Sequence, residues 1–313
     1  MLRLVLILVA VRGSWAAQLY QLDGTIVPEG GASVTLFGAT RPFTTSTLSD
    51  DSGRFTIKRL EAGTYTIAVF VPGSGESRQT IEIGAGTADR RGRVKLTVRL
   101  RDDGFERDPL RRRHAVSAKQ LAIPEAAHRE YAAAQKDLER RDTTGAVRHL
   151  ERAVEMAPAF AQAWNNLGTI AYQTRNFARA EQCFREALRH DPAMYEPLVN
   201  LGGVLINLRK LDEALELNVH AVLVRPGDAL ANSQLGMAYF ESGDFNAALK
   251  YLERARKIDG AHFSHPQLYL ADIHIRRGEK RAAVEAMEDF LAHHPDYPHA
   301  QKMKEKIAEL RRE

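Results

Sequence analysis

The sequence predicts a multidomain protein in which an N-terminal all-β antiparallel sandwich is followed by an all-α superhelical solenoid. From Ala17 to about Arg101, apolar residues alternate with polar or small ones, which is the pattern of strands with one buried face. From Ala127 to Pro295, small and apolar residues instead recur every 34 residues. A repeat of that length predicts stacked helical pairs that share one continuous core.

The N-terminus has the order of a secretory signal peptide. Arg3 is followed by the apolar stretch Leu4 to Val11 and then by the small-x-small site Ser14-Trp15-Ala16. We expect residues 1–16 to be removed and the protein to be exported, to the periplasm, the cell envelope or the medium. The apolar stretch is shorter than the about 20 residues that cross a bilayer. The alternative is that it forms a first β-strand of the mature fold.

Composition is that of an ordinary soluble chain long enough for two or three domains. Of its 313 residues, 44% are apolar and 27% charged, and the net charge of +4 is too mild to indicate a nucleic-acid partner. No second stretch is apolar enough for an integral membrane span. Cys183 is the only cysteine, so it forms no intramolecular disulfide, and we expect a buried, inert thiol.

Residues 17–101 predict a small sandwich of about seven short strands. Glycine-containing turns separate the alternating segments: Glu29-Gly30-Gly31, Asp50-Asp51-Ser52-Gly53, Glu61-Ala62-Gly63 and Pro72-Gly73-Ser74-Gly75. Phe55 and Tyr65 alternate with aliphatic residues, so we expect both in the core. Asp50 and Asp51 could be calcium ligands, but the loop offers few oxygens and a plain β-turn is the preferred interpretation.

Four short motifs of this segment resemble the carboxypeptidase regulatory-like (transthyretin-like) domain: Gly24-Thr25-Ile26, Ala32-Ser33-Val34-Thr35-Leu36, Asp51-Ser52-Gly53-Arg54-Phe55 and Leu60-x-x-Gly63-x-Tyr65. The resemblance implies a non-catalytic sandwich of the kind often fused to larger extracytoplasmic proteins.

A basic linker, residues 102–124, is expected to join the two parts. Arg111-Arg112-Arg113-His114 lies in a stretch without a regular period. Such a run is typical of a solvated tether, and the alternative is a patch for an acidic partner or for anionic lipid heads. Pro124 and Glu125 suit the first turn of a helix.

The repeats carry a recognisable signature. Trp164-x-x-Leu167-Gly168, Ala180-x-x-x-Phe184 and Pro192 resemble the tetratricopeptide-repeat (TPR) family nearly position for position. Five units are expected within residues 125–297, at about 127–160, 161–194, 195–228, 229–262 and 264–297. Residues 298–313 are expected to form a capping helix with Met303, Ile307 and Leu310 on one stripe.

The TPR resemblance implies a concave groove lined by the first helix of each pair. The candidate peptide-binding residues are Tyr131, Gln135, Asn165, Asn166, Thr169, Tyr172, Asn200, Gln234, Met237 and Phe240. Val199, Ile206, Ser233, Leu268 and Asp272 are expected on the same face.

Within that set, an amide column repeats once per unit: Asn166, Asn200 and Gln234. A comparable asparagine column in the TPR arm of O-GlcNAc transferases holds the backbone of extended peptides, since an amide both donates and accepts. The alternative is that these amides satisfy neighbouring backbone groups or water. No lysine stands where the chaperone-tail carboxylate clamp of other TPR proteins has one.

No enzyme is expected, because G-x-S-x-G, H-E-x-x-H and a glycine-rich phosphate loop are all missing. We therefore expect no cofactor and no metal. His262, His265, His293 and His294 are expected on the polar surface of repeat junctions, with a metal site as the minor alternative.

The predicted function is a non-catalytic exported scaffold for a protein or an extended peptide, with envelope assembly as one setting. Two alternatives remain open at this stage. The sandwich could bind glycan at a cell surface, or the chain could be a regulatory subunit of a partner enzyme.

Overall fold

The computed structural model describes residues 18–28, 31–71, 75–100 and 123–312. The predicted signal peptide, almost all of the basic linker, and parts of two predicted turns lie outside the described residues.

Seven strands form the N-terminal part: β1 Tyr20–Val27, β2 Ser33–Gly38, β3 Thr44–Leu48, β4 Arg54–Leu60, β5 Gly63–Val71, β6 Gly75–Ile83 and β7 Arg93–Arg99. They make a three-stranded sheet in the order β4-β1-β7 and a four-stranded sheet in the order β3-β2-β5-β6. The strand pairs are antiparallel as expected, except that β7 runs parallel to β1. Alternation reports which face of a strand is buried and says nothing of its direction, so this pair was not predictable.

The two sheets bury one face each against the other. Leu22, Leu36 and Ile67 from three of the strands have no exposed surface and belong to a single apolar cluster. Phe55 and Tyr65 are 5% and 6% exposed in the same cluster, which confirms the prediction that both are core residues. Each such side chain contributes about 1.5–3 kcal/mol by leaving water.

The Asp50 carboxylate is engaged in its own turn. One oxygen accepts from the amides of Ser52 at 3.0 Å and Arg54 at 2.9 Å, and the other from the Arg54 guanidinium at 3.1 Å. The backbone bond from Arg54 is the main cause that lowers the pKa of Asp50. The geometry is that of the plain β-turn interpretation.

Eleven helices follow in the described part of the chain: α1 Glu125–Glu139, α2 Thr143–Met156, α3 Ala161–Gln173, α4 Phe177–His190, α5 Tyr195–Asn207, α6 Leu211–Val224, α7 Ala229–Glu241, α8 Phe245–Ile258, α9 Pro266–Arg276, α10 Lys280–His293 and α11 Ala300–Arg312. The first ten pack as five antiparallel pairs, α1 with α2 through α9 with α10. Pro158, Pro192 and Pro226 each stand two residues beyond the second helix of a pair, where the missing amide does not interrupt a helix.

Small residues bring the helices of one pair together. Ala180 has no exposed surface, and a Cβ added to Gly168 would lie 2.6 Å from the buried Phe184 ring. Glycine is therefore required at that crossing, since the ring is enclosed and cannot move aside.

The turn inside each pair reverses through a left-handed residue. These residues are 34 apart in the first four pairs and 35 apart before the last: Arg141, Arg175, Arg209, Gly243 and Gly278. A polar side chain then caps the second helix in three pairs. Asp142, Asn176 and Asp244 accept the amides of residues three positions later at 2.8, 3.3 and 3.0 Å. Such caps stabilise a helix by about 1 kcal/mol.

The last helix, α11, packs on α10. Ile307 and Leu310 are 6% and 8% exposed and belong to the apolar cluster of the fifth pair, with Met303 packed beside them. This confirms the predicted capping stripe. Among the described residues, no helix is both long and apolar enough to cross a membrane.

Candidate functional site

The first helices of the pairs, α1, α3, α5, α7 and α9, form one layer. Contacts join α3 to α5, α5 to α7 and α7 to α9. All ten predicted site residues lie on four of these helices, α1, α3, α5 and α7. The groove is defined here by those residues and by the first helices that carry them.

The predicted residues join neighbouring repeats. Asn166 donates its amide to the Tyr131 hydroxyl at 3.1 Å, which links the second repeat to the first. Burial raises the pKa of Tyr131, while hydrogen bonds from Asn166 and Gln135 act in the opposite direction. The phenol therefore stays protonated at neutral pH, and its oxygen accepts the hydrogen bond from Asn166.

The next junctions follow the same plan. Burial raises the pKa of Tyr172, opposed by a hydrogen bond with Asn207 of the third repeat, whose amide also donates to the Gly203 carbonyl at 2.8 Å. The Gln234 amide packs over Gly203, where an added Cβ would lie 2.4 Å from its nitrogen. That glycine therefore lets the third and fourth repeats approach.

Aromatic side chains line the fourth and fifth repeats. The Phe240 ring meets Tyr269 edge to face at 5.2 Å, and Met237 packs in the same cluster. Burial raises the pKa of Tyr269 to about 12, reinforced by the negative charge of Glu241. Sequence reasoning missed Tyr269.

Two acceptors of the groove have no hydrogen-bond partner among the described residues: Asn165 Oδ1 and Gln234 Oε1. Thr169 donates to the Asn165 carbonyl at 3.0 Å and leaves that side-chain oxygen unused. Asn200 is half-buried, and its side chain makes no hydrogen bond within the described ranges. Unpaired buried acceptors of this kind carry a desolvation cost.

Four of the residues expected on the groove surface are buried. Val199 and Ile206 are 4% and 6% exposed, Gln234 is 5% exposed, and Ser233 has no exposed surface. Val199 and Ile206 lie on α5, which packs against both α3 and α7, and the Ser233 hydroxyl accepts a hydrogen bond from Ser264. The expectation of an open surface at Val199, Ile206 and Ser233 is wrong, since 34-residue periodicity does not report how closely neighbouring first helices approach.

The sandwich lies against the helical layer. At the turn side of the first two repeats, the Gln173 amide donates to the Gly38 carbonyl at 2.8 Å. Arg141 donates to the Arg59 carbonyl and pairs with Glu61, both at 3.3 Å, and its guanidinium stands 4.8 Å from the Phe43 ring centre. We call this turn-side edge the lower rim.

A second set of contacts lies at the opposite ends of the helices. The Thr80 amide donates to Asp259 at 2.9 Å, and the Gly86 amide donates to Asp296 at 2.9 Å. His294 donates through Nδ1 to Glu82. Arg78 pairs with Glu196 at 3.4 Å. We call this edge, formed by the repeat junctions, the upper rim.

Sequence reasoning missed both rims. Gln173 and Asn207 occupy the same repeat position, so the period could have drawn attention to them. Nothing in the sequence could have paired Gln173 with Gly38 of the sandwich, because partners more than a hundred residues apart leave no periodic signal.

The histidines at the last junction are enclosed. His262 and His294 are 4% and 1% exposed, so the expectation of a polar surface is wrong for both. Burial lowers the pKa of His262 to about 3, and burial together with His294 lowers that of His265 to about 4. In the described part of the chain, no group of three or more His, Cys, Asp or Glu side chains could hold a metal ion.

Cys183 has no exposed surface, and burial raises the pKa of its thiol to about 11. A thiol in that environment is protonated at neutral pH and packs as a small apolar side chain, as the sequence predicted.

Three family matches cover most of the described chain. Residues 22–99 match the carboxypeptidase regulatory-like domain. Residues 130–259 match the middle TPR-like domain of cilia and flagella-associated protein 70, and residues 239–307 match a tetratricopeptide repeat family.

Curated relatives match through the repeats. Mouse tetratricopeptide repeat protein 21A is 31% identical over 107 residues, which are 34% of this chain and 8% of that protein. Human tetratricopeptide repeat protein 5 is 29% identical over 183 residues, 51% of this chain and 41% of that protein. The chain thus spans less than half the length of these relatives.

Solved structures share the fold of the helical part. PilW, described as a widely conserved type IV pilus biogenesis factor, superposes with a TM-score of 0.52 at 21% identity, covering 60% of this chain and 86% of that one. PilF of Pseudomonas aeruginosa superposes with a TM-score of 0.51 at 20% identity, covering 62% of this chain and 86% of that one. MamA of Desulfovibrio magneticus RS-1 superposes with a TM-score of 0.50 at 19% identity, covering 56% of this chain and 99% of that one.

Fold and groove define a helical-repeat protein of the class that mediates protein–protein interaction, in families that are generally non-catalytic. The chain is a TPR protein with an N-terminal carboxypeptidase regulatory-like domain.

Proposed function

We propose that the protein is a non-catalytic exported scaffold that holds an extended peptide segment of a protein partner along the TPR groove. The observation that carries the proposal is the row of groove amides with unused hydrogen-bonding capacity. Asn200 is half-buried and its amide lacks a partner within the described ranges, and the half-buried Asn166 uses one amide proton on Tyr131. A peptide backbone offers a donor and an acceptor at every residue, which suits such a row.

In this proposal residues 1–16 are a cleaved signal peptide, 17–101 the regulatory-like sandwich, 102–124 a linker, 125–297 the TPR repeats and 298–313 the cap. Support for export comes from the residue order of the N-terminus. The shared fold of PilW and PilF, one described as a pilus biogenesis factor, is consistent with a place in an envelope assembly.

Export predicts a mature chain that begins at Ala17. N-terminal sequencing of the protein recovered from outside the cytoplasm measures this directly. An intact Met1 on the exported protein would exclude a cleaved signal, and a purely cytosolic protein would exclude export.

The amide column predicts a specific loss of peptide binding. Asn166→Ala combined with Asn200→Ala should weaken retention of peptides selected from a phage-displayed library of random linear peptides on residues 17–313. The expected loss is about 1–3 kcal/mol, because polar groups of the peptide backbone are left unpaired. Binding of individual selected peptides is measured by fluorescence anisotropy.

Gln182→Ala is the matched control, since Gln182 is an exposed amide on the second helix α4 and points away from the groove layer. It should leave the affinity unchanged. Equal affinities of the double variant and the unaltered chain would show that the amide column does not read the peptide.

A further inference from the structure

We propose that the β-sandwich is an intramolecular cover of the TPR groove, and that a peptide partner reaches the amide column only when the sandwich moves off the rims. This inference rests on the proposed function, since it states how access to that same groove is controlled.

The four-stranded sheet turns its outer face to the helices. On β6, Ile81 and Ile83 point into the sandwich core, so Thr80 and Glu82 point away from it. Ala68 lies opposite Arg78 in the β5–β6 register and is not part of the sandwich core cluster. Ala68 and Thr80 are nevertheless only 6% and 5% exposed. The helical part therefore covers this face.

The sandwich rests on both rims of the groove. Gln173 and Arg141 hold it at the lower rim, in the first two repeats. Asp259, His294 and Asp296 hold it at the upper rim, in the last two repeats. Strand β3 also packs against α1, which is itself a groove helix. Because the sandwich contacts both rims and also α1, it lies across the groove.

The contacts that hold the cover are polar. The apolar cluster of the sandwich contains only sandwich residues, and the four helical clusters contain only residues from Ile123 onward. The ion pairs of Arg78 with Glu196 and of Arg141 with Glu61 are partly exposed and individually weak, whereas the pair of His294 with Glu82 is buried. No shared apolar core opposes separation among the described residues. The cover is thus suited to reversible release.

An engineered disulfide between positions 84 and 296 would hold the sandwich on the upper rim. A Cβ added to Gly84 would lie 3.9 Å from the Asp296 Cβ, within the about 3.5–4.5 Å that a disulfide requires. Gly84 does not have a positive φ, so cysteine is compatible with its backbone. The buried Cys183, with a thiol pKa of about 11, does not compete for oxidation.

The test uses the full mature chain with Gly84→Cys and Asp296→Cys. Mild oxidation should close an intramolecular disulfide without reshuffling, and mass spectrometry identifies the linked peptides. The oxidised chain should bind the selected peptides at least about tenfold more weakly than the reduced chain, because the binding-competent population is removed. Asp296→Cys alone, oxidised and reduced in parallel, controls for the redox treatment.

A charge reversal at Arg78 tests whether release of the sandwich raises peptide affinity. Arg78 is 40% exposed at its side chain and faces Glu196 at 3.4 Å. Arg78→Glu places a third carboxylate beside Glu76 and Glu196 and should raise peptide affinity by releasing the cover. Adding Glu196→Arg restores an opposite pair and should return the affinity to that of the unaltered chain. The rescue separates release of the cover from damage to the sandwich.

The outcomes distinguish the two proposals. If the disulfide closes and peptide affinity is the same in both redox states, the cover is not a gate, although the groove still binds peptide. If neither the lock nor Asn166→Ala with Asn200→Ala changes the affinity, the proposed function itself fails. If the disulfide does not close under mild oxidation, the sandwich does not rest on the upper rim and the inference is overturned.

Discussion

At the scale of single residues, one position breaks a column that the repeat otherwise keeps apolar. The column holds Leu150, Phe184, Asn218 and Leu252, all with no exposed surface. Both polar atoms of the Asn218 side chain lack a hydrogen-bond partner in the described part of the chain. A buried amide without partners carries its full desolvation cost.

Asn218→Leu should raise the free energy of unfolding by about 1–3 kcal/mol, because an unpaired buried amide is replaced by an apolar group. In the fourth repeat, Leu252 packs beside Gly236 where the two helices cross. Leucine should therefore also fit beside Gly202 at the same crossing of the third repeat. Urea unfolding followed by circular dichroism measures the change.

The reverse substitution is the matched control. Leu252→Asn places the amide in the same column of the fourth repeat and should destabilise the protein by about 2–5 kcal/mol. A lower stability of Asn218→Leu would mean that Asn218 makes a polar contact that this structure does not show.

Three arginines adopt a backbone conformation that is unfavourable for a residue with a side chain. Arg141, Arg175 and Arg209 have φ near 62°, where later repeats have glycine. A non-glycine residue there costs about 1 kcal/mol or more. At Arg141 this cost is offset by contacts of the side chain with Glu61 and Phe43 of the sandwich. Repeat periodicity places this residue in a turn but assigns it no partner.

At the scale of helices and strands, most elements could be predicted from patterns of residues that lie close together in the sequence. The five helical pairs, the prolines after them, the small residues at crossings and the capping stripe of Ile307 and Leu310 follow from a period that acts within one unit and its neighbours. Seven strands follow from alternation and turn residues. These features depend on residues close in sequence, so the sequence alone was sufficient.

Elements whose neighbours are distant in sequence were not predictable. The parallel pairing of β7 with β1 joins segments separated by most of the sandwich. The burial of α5 on two sides depends on how closely α3 and α7 approach. Of the candidate site, the spacing of the amides could be predicted from the repeat and their role in binding stays a prediction, whereas Tyr269, Asn207 and both rims were missed because their contacts arise between elements.

At the scale of the whole molecule, the arrangement of its two parts rests on polar contacts between distant residues. Arg141 with Glu61 and Arg78 with Glu196 are ion pairs with partly exposed side chains. Charge interactions of this kind are screened by salt, whereas the apolar clusters inside each part are not.

Raising the salt concentration from 0.1 M to 1 M should therefore increase the radius of gyration of the mature chain without loss of helix. The Debye length falls from about 10 Å to about 3 Å over this range. Small-angle X-ray scattering measures the size, and circular dichroism measures the helix content.

The oxidised variant with Gly84→Cys and Asp296→Cys serves as the control, since its parts are held covalently and its size should not respond. An unaltered chain whose radius of gyration is the same at both salt concentrations would contradict an arrangement held mainly by charge.

The sequence by itself determined the two kinds of secondary structure, the repeat unit and the face of each helix that carries the amide column. Those properties come from spacing, and spacing acts between residues that lie near each other along the chain. The tertiary structure alone decided that the sandwich lies across the groove. That arrangement depends on single hydrogen bonds and ion pairs, such as Thr80 with Asp259, whose partners share no periodic relation in the chain.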